Sequence, residues 1–591
     1  MTLLTRIAVI NRDLCKPKKC NYLCVSVCPK NRSKEECIVE DEDSKFPVID
    51  ENICIGCGIC VNKCPFKAIS IVNLPEQLKE KPIHRFGKNK FVLFRLPHPI
   101  PGEVVGLVGS NGLGKTTALM ILSSQIKPNL GERKHADLSE LITLYRGTEL
   151  QNYLEKLRDK EMKVSYKLQR VDQIPEKYTG KVSKLLKRTD KRGILSDLIT
   201  RFDIEDVLDN DIDKISGGEL QRVSIAACLA KDADIYYLDE PTSFLDVFQR
   251  LEVSKTIREF CKDRSVIVAD HDLATLDFLA DRIHIFYGVP TVYGIVSSPY
   301  SVRAGINTFL DGYIREDNVR IRSESIAFAS TYVQSTRGSN VLIGFDNIQK
   351  KLGKFSLTVK KGQLYEKEVL GMLGANALGK TTFAEILAGK TKQDDGEISD
   401  KIKISYKSQY PHTDFDGTVH ELLKSVSREF GTENYKSEII RPLRLEKLLE
   451  RKVKKLSGGE LQRVAIAVAL SQETDAYLLD EPSAFLDVEM RLSLADMIRK
   501  LAKKRECSFM IVDHDLLFLS QIADRGMVFM GQPGIKGYTE EPTSVEKAFN
   551  SFLSRVGVTF RRDPQTGRPR ANKFDSKLDK EQKEKGKYFM S

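Results

Sequence analysis

Ile215-Ser-Gly-Gly-Glu-Leu-Gln-Arg222 and Leu456-Ser-Gly-Gly-Glu-Leu-Gln-Arg463 are nearly the same octet, written twice in one chain. An acidic pair follows 23 residues after the serine of each, Asp239-Glu240 in the first case and Asp480-Glu481 in the second. Upstream of each octet lies a glycine-rich loop ending in Gly-Lys-Thr-Thr, with Lys115 in one copy and Lys380 in the other. Chance glycine-rich turns would not repeat three elements in one order, so the chain carries two copies of one domain.

The first loop runs Gly109-Ser-Asn-Gly-Leu-Gly-Lys-Thr-Thr117 and matches the phosphate-loop pattern G-x4-G-K-[ST]. It follows Val104 to Val108, an apolar run that reads as a buried strand. In such a loop Gly109, Ser110, Asn111, Gly112, Leu113 and Gly114 turn backbone N–H groups toward phosphate oxygens, and a helix starting near Thr116 adds its positive end. Lys115 neutralises the β- and γ-phosphates, Thr116 offers a hydroxyl to Mg²⁺, and Thr117 closes the run. The second loop is Gly374, Ala375, Asn376, Ala377, Leu378, Gly379, Lys380, Thr381 and Thr382. Ala377 stands where the first loop has Gly112; an alanine is disfavoured there if the position needs a positive φ, and the two sites would then differ.

Loop, octet and acidic pair together resemble the ATP-binding-cassette (ABC) ATPases over roughly residues 75 to 560. The resemblance implies tandem α/β P-loop nucleotide-binding domains in a head-to-tail arrangement. It implies ATP and Mg²⁺ as cofactors, with Asp239 and Asp480 holding Mg²⁺ through water and Glu240 and Glu481 acting as general bases on the attacking water. Gln169 and Gln409 fit the family's residue beside Mg²⁺ and that water. His271 and His514, each in Asp-His-Asp-Leu, fit its contact to the γ-phosphate, and Asp246 and Asp487 lie in the loop that in the family crosses the dimer seam. The octet residues Ser216, Gly217 and Gly218 would cap the nucleotide held by Lys380, and Ser457, Gly458 and Gly459 the one held by Lys115. Just upstream, Phe86 or Phe91 would stack on adenine or belong to the core.

The copies differ in length. The lysines are 265 residues apart but the octet serines only 241, which leaves 24 extra residues in the first copy. Gln169 lies 54 residues after Lys115 and Gln409 only 29 after Lys380, so the insertion precedes Gln169. The body of the insertion is expected over Thr148 to Val164, where Leu150, Leu154 and Leu157 make a helical stripe, as a small helix–loop–helix on the surface that docks a partner or merely decorates the fold.

Nine of the twelve cysteines fall within residues 15–64, with no secretion signal at the N-terminus to suggest disulfides. Cys54-x2-Cys57-x2-Cys60-x3-Cys64-Pro65 has the spacing of bacterial ferredoxins, in which three thiolates wrap one [4Fe–4S] cube and the fourth crosses to its neighbour. The looser run is Cys15-x4-Cys20-x3-Cys24-x3-Cys28-Pro29. The crossing rule assigns Cys15, Cys20, Cys24 and Cys64 to one cluster and Cys54, Cys57, Cys60 and Cys28 to the other, leaving Cys37 over. Zinc is the competing metal; the terminal Cys-Pro of both runs favours iron–sulfur.

Hydrophobic content of 41% and charged content of 30% describe a globular chain. No apolar run approaches the ~20 residues of a membrane helix, so no membrane partner is expected and the chain is no transporter by itself. The net charge of +11 is uneven. Residues 551–591 hold eleven Lys/Arg against five Asp/Glu, and residues 145–193 fourteen against seven, which suits a polyanion such as RNA or a solvated basic face. The domains expected are therefore an α+β ferredoxin-like iron–sulfur domain at 1–73; a first cassette at 74–312 with its insertion near 145–165; a hinge linker at 313–340; a second cassette at 341–550; and a basic hinge tail at 551–591. Within 288–340, Gly-Val-Pro, Ser-Ser-Pro-Tyr and Asn-Thr-Phe-Leu read as irregular structure, and linker and tail are both expected along the seam between the cassettes.

An iron–sulfur domain fused to tandem cassettes, with Cys15-Lys-Pro-Lys-Lys-Cys20, the run from Tyr237 to Arg250 and the Phe560-Arg-Arg-Asp-Pro564 tail, resembles the ABC subfamily E proteins, the ribosome-recycling or RNase L inhibitor family. That resemblance implies an ATPase that splits post-termination or stalled ribosomes beside a release factor or a Pelota-like rescue factor. It implies contacts to the small subunit, to rRNA and ribosomal proteins and to initiation factors. The protein would be a cytoplasmic monomer with, in addition, a nuclear pool. Two alternatives compete: an ATP-coupled iron–sulfur redox protein, and a nucleotide-binding scaffold or inhibitor with little turnover.

Overall fold

The computed structural model describes residues 6–42, 44–75, 80–132, 137–322, 324–326, 328, 338–399, 402–409 and 415–589. The chain divides into two compact units. One comprises Met1–Ser243, Glu252–His271 and Leu279–Ile326; the other comprises Phe244–Leu251, Asp272–Phe278 and Ala327–Ser591. Of the expected hinge at 313–340, residues 323, 327 and 329–337 lie outside the described residues.

In the first unit, five parallel strands run in the order Val164–Lys167, Ile235–Asp239, Ser265–Ala269, Val104–Val108 and Arg282–Val289. Ile235–Asp239 and Val104–Val108 are buried at every position, as expected of strands covered on both faces. The second unit repeats the order with Ile404–Lys407, Ala476–Asp480, Ser508–Val512, Val369–Leu373 and Arg525–Gln532. In both sheets the strand that feeds the phosphate loop lies two places from the strand that ends in the acidic pair, with one strand between them. Both sets of functional groups therefore collect at the carboxyl ends of the strands, where open α/β sheets bind ligands.

The cysteine-rich segment is small. Strands Arg6–Ile10 and Ile69–Asn73 pair antiparallel, and short helices such as Leu23–Val27 and Ile59–Lys63 carry the thiols. Its core includes Ala8, Ile10, Ile38, Ile49 and Ile69 together with the sulfur side chains themselves.

Three sequence expectations need correction. The inserted element is a helix pair, Leu138–Leu144 and Glu149–Arg158, so it begins about one helix earlier than Thr148, and the window Thr148 to Val164 contains only its second helix. Nor is its stripe a surface feature: Leu150, Tyr153 and Leu154 are buried in the core beside Leu119 and Leu122, and the Tyr153 hydroxyl donates to the Leu122 carbonyl. Next, Tyr293–Val296 is a strand and Val302–Asp311 a helix, so Asn307-Thr-Phe-Leu310, read as irregular, is helical, with Phe309 and Leu310 buried. Gly305 lets that helix close on Ile283: a β-carbon there would come within 2.8 Å of Ile283 Cβ.

Finally, the tail beyond 551 is a core element. Strands Phe560–Arg562 and Pro569–Ala571 pair, helix Lys577–Glu584 follows, and Phe560, Ala571 and Phe589 join the main hydrophobic cluster of the second unit. Its charges deceive because two of its arginines are paired inside the unit. Arg568, fully buried, donates to the equally buried Asp277 of the same unit, and Arg570 reaches the same carboxylate at 3.0 Å. Removing one partner of a buried pair strands the other charge. Arg568→Met is therefore expected to lower the unfolding free energy of this unit by about 3 kcal/mol, read as a drop in the denaturant midpoint, whereas a change at exposed Lys577 leaves it in place.

Candidate nucleotide and iron–sulfur sites

Both phosphate loops have the shape the sequence requires. Gly109, Gly112 and Gly114 all have positive φ, as do Gly374, Ala377 and Gly379. The glycine before each lysine is needed twice over: its φ is +94° at Gly114 and +91° at Gly379, and a β-carbon would strike Phe91 in one loop and Leu357 in the other. Ala377, at φ +56°, does occupy the left-handed region, at a cost of roughly 1 kcal/mol that Gly112 avoids. Helices Lys115–Leu122 and Lys380–Leu387 start directly from the loops. Lys115 Nζ donates to the carbonyls of Gly109 and Ser110 at 2.6 and 3.1 Å, and Lys380 Nζ to those of Gly374 and Ala375, so each ammonium is held over its own loop.

The acidic pairs converge on the same points. Thr381 Oγ1 donates to Asp480 Oδ2 at 2.6 Å, and the Thr116 hydroxyl lies 3.4 Å from Gln169 Oε1. Gln169 Nε2 donates to Glu240 Oε1 at 2.7 Å, and Gln409 Nε2 to Glu481 Oε1 at 2.8 Å. His271 and His514 each place Nε2 3.4 Å from the glutamate carboxylate of their own cassette, an electrostatic contact rather than a well-formed hydrogen bond. Burial alone would raise both glutamates, but the adjoining His271 and Lys115, or His514 and Lys380, outweigh it and hold them below the usual carboxylate range. Both are therefore ionised at neutral pH and able to accept a hydrogen bond from water. The aspartates behave oppositely: burial, together with Glu240 or Glu481 alongside, pushes Asp239 and Asp480 up to about 6.

A divalent cation fits this donor set. Asp480 Oδ1 is buried without a hydrogen-bond partner, and the threonine hydroxyls and glutamine amides beside the aspartates supply the oxygen ligands that Mg²⁺ prefers. Bound there, Mg²⁺ would neutralise phosphate charge.

The octets cap helices. Helix Gly217–Leu229 starts at Ser216, whose N–H donates to Glu219 Oε2 at 2.7 Å; helix Gly458–Leu470 starts at Ser457, whose N–H and hydroxyl both donate to Glu460. Ser216, Gly217, Ser457 and Gly458 are exposed, so two helix N-termini present N–H groups to solvent in a form that binds anions. In the second unit Asp246 accepts from the backbone N–H of Asn376, in the phosphate loop, at 2.8 Å. Asp487 caps helix Val488–Lys504 by accepting from Met490 N. Of the two candidate aromatics, Phe86 is exposed, whereas Phe91 packs against the first loop at Gly114. The sequence reading missed the matching Phe355, which lies against Gly379 in the second loop.

It also missed a lysine in each site. Lys167 and Lys407 are buried at 2% and 3% exposure and donate into the acidic pairs. Burial pushes each ammonium down to about 8, against the pull of Asp239, Glu240 and Asp270 on Lys167 and of Asp480, Glu481 and Asp513 on Lys407. Their signal was present: a Tyr-Lys dipeptide precedes both site glutamines, at Tyr166-Lys-Leu-Gln169 and Tyr406-Lys-Ser-Gln409.

The thiols of the two runs lie close to one another. Cys15 interacts with Cys20 and Cys64, and Cys24 with Cys15, Cys20 and Cys64; Cys60 interacts foremost with Cys54 and Cys57, and also with Cys24 and Cys28. A cavity lined by Cys28, Cys37, Cys54, Cys57 and Cys60 lies between the runs. Among the described residues no three His, Cys, Asp or Glu side chains close on a single ion. Burial and mutual repulsion push Cys15 and Cys24 up to about 11 and Cys60 to about 12, and a bound metal would favour their thiolate forms. Residue Cys37, also buried, interacts with Cys28 and Cys54.

Comparison with known proteins identifies the domains that carry these residues. The family described as ABC transporter matches residues 100–243 and 357–484. A possible Fer4-like domain in RNase L inhibitor matches residues 5–36, and the 4Fe-4S binding domain matches residues 47–70. The chain is 44% identical over 595 residues to ABC transporter E family member 1 of Arabidopsis thaliana, covering 99% of each. It is 44% identical over 598 residues to translation initiation factor RLI1 of Saccharomyces cerevisiae, covering 99% of this chain and 98% of that one. Among solved structures, a ribosome-bound archaeal Pelota and ABCE1 assembly contains a chain of 47% identity and TM-score 0.94, covering 100% of both. The complex of archaeal ribosomal stalk protein aP1 with the archaeal ribosome recycling factor aABCE1 contains one of 46% identity and TM-score 0.83, covering 87% of this chain and 100% of that one.

The cysteine grouping has a direct test. In anaerobically purified protein, Cys37→Ser is expected to keep the iron content and visible absorbance of the parent, while Cys60→Ser or Cys24→Ser loses about half of both or more, since removing one thiolate unmakes a four-ligand site.

Proposed function

This chain belongs to the E family of ABC proteins, and we propose that it works as an ATP-driven ribosome recycling factor, separating the subunits of post-termination or stalled ribosomes. The observation that carries the reading is the pairing of two complete ATP-hydrolysing constellations with a two-cluster cysteine domain on one chain. The relatives carry ribosomal descriptions: over the full length, a partner of Pelota on the ribosome and an initiation factor, and over 87% of this chain, a recycling factor bound to a stalk protein. The partners proposed are therefore the ribosome, with small-subunit rRNA and ribosomal proteins, a release or Pelota-like rescue factor, and initiation factors. The chain itself would act as a monomer. We place this work in the cytoplasm; a nuclear pool is the finer part of the same proposal.

The chemistry is ATP hydrolysis to ADP and phosphate. A water oxygen forms a bond to the γ-phosphorus while the bond to the β-phosphate bridging oxygen breaks. Glu240 or Glu481, ionised as described, accepts a hydrogen bond from that water, and Gln169 or Gln409 orients the carboxylate. Lys115 or Lys380 and the loop amides hold the departing charge. We further propose that each exposed octet caps the γ-phosphate bound by the other cassette, so that ATP closes the pair and hydrolysis releases it. Driving such a switch from about 1:99 to 99:1 takes roughly 5.5 kcal/mol of differential binding, within reach of two triphosphates held by charge-assisted bonds.

The test is sedimentation of purified ribosomes with this protein, a release factor and ATP. Free subunits are expected with the parent. Glu240→Gln with Glu481→Gln is expected to cut steady-state turnover by about a hundredfold or more and to abolish multiple rounds of splitting. Intact ribosomes under conditions where the parent hydrolyses ATP would overturn the assignment.

A further inference from the structure

Both catalytic glutamates have a backbone that their residue type disfavours. Glu240 has φ +46° and Glu481 φ +47°, in the left-handed region, which costs a residue with a β-carbon on the order of 1 kcal/mol. Such a conformation persists only where the surroundings over-determine it. On the amino side the device is ordinary sheet pairing: Glu240 N–H donates to Ala269 O and Glu481 N–H to Val512 O, both at 2.8 Å. On the carbonyl side it is built from side chains. Lys167 Nζ donates to the carbonyls of Asp239 at 2.9 Å and Glu240 at 3.2 Å; Lys407 Nζ donates to those of Asp480 at 2.7 Å and Glu481 at 3.2 Å. Gln221 Nε2, from the octet helix, donates to the carbonyls of Glu240 at 2.7 Å and Pro241 at 2.8 Å, and Gln462 Nε2 to those of Glu481 and Pro482 at 2.6 and 3.1 Å.

We infer that Lys167 and Lys407 are positioning residues for ATP hydrolysis: each clamps the strained peptide that aims the general base, sharing that carbonyl with the glutamine of its own octet helix. Three observations carry this. An ammonium buried this deeply is expensive, and each is spent on main-chain oxygens rather than on a carboxylate side chain. The arrangement occurs in both cassettes with the same donors and acceptors, although the two loops and the insertion have diverged. The lysine also sits two residues before the glutamine that orients the same glutamate, so one strand end sets both the backbone and the side chain of the base. An unbranched amine is the group that reaches two adjacent carbonyls from a parallel strand, since it carries three donors on a flexible stem. Because the octet glutamine shares the grip, a shift of the octet helix and the aim of the glutamate within one cassette are mechanically joined.

The experiment uses the full chain with its clusters. Lys167→Met and Lys407→Met together keep the stem and remove the donors. The expected result is a fall in kcat of about ten- to a hundredfold with KM and the Kd of a fluorescent ADP analogue within about twofold of the parent. Lys167→Gln with Lys407→Gln, which restores an N–H donor, should recover part of kcat. In a background of Glu240→Gln with Glu481→Gln the methionines should change the residual rate by less than about twofold, because they act through the base already removed. An unchanged kcat, a loss of nucleotide affinity in step with kcat, or a full additional loss in the glutamine background would each overturn the inference. Should the methionine protein fail to fold, the Lys→Gln pair reads the same contact: a reduced kcat at unchanged Kd supports it, and an unchanged kcat overturns it.

Discussion

Each nucleotide site depends on satisfying charge at the carboxyl end of a buried parallel sheet. Five covered strands deliver two carboxylates, a phosphate-loop ammonium and a second ammonium to one small region from which much of the water is excluded. None of these groups is tolerable alone there. Together they are mutually compensated: Lys115 or Lys380 over its loop, Lys167 or Lys407 under the acidic turn, and histidine and glutamine on the glutamate. Burial pushes Asp239 and Asp480 up to about 6, so a divalent cation bound beside them would stabilise their ionised form. The same logic governs the cysteine domain, where thiols raised by burial and by one another make metal the stabilising partner.

These constraints explain what was legible in the sequence. The phosphate loops, octets, acidic pairs, glutamines, histidines and cysteines were all recognisable because their chemistry fixes residue type and spacing at once. Duplication multiplied the signal, and the two cassettes appear as two sheets of the same strand order. Glycine at 114 and 379 is read with the loop, and its reason emerges only from the aromatic and aliphatic side chains that press against it.

Three of the misreadings share one cause. Long-range partners hide the meaning of a charge. Arg568 reads as a solvated charge in sequence but is buried and paired in the fold, because Asp277, almost three hundred residues away, lies against it. Lys167 and Lys407 look like ordinary solvated lysines until their carbonyl acceptors, more than seventy residues distant, come into place. The helix pair before Gln169 was read as surface because its leucines are framed by charge, yet Tyr153 and Leu154 reach the core beside the phosphate-loop helix. Phe355 escaped notice for want of a local pattern; only its contact with Gly379 marks it as the counterpart of Phe91.

The left-handed alanine in the second phosphate loop has a kinetic corollary. Both carbonyls receive one backbone N–H, Gly112 from Thr291 at 2.9 Å and Ala377 from Gly534 at 3.0 Å, so the same bond holds a conformation that glycine adopts freely and one that alanine resists. With matching bonds and a larger backbone cost, the second turn opens more readily than the first. Without nucleotide, amide protons of the second loop should therefore exchange with deuterated solvent ahead of those in the first, so that two copies of one sequence pattern breathe at different rates.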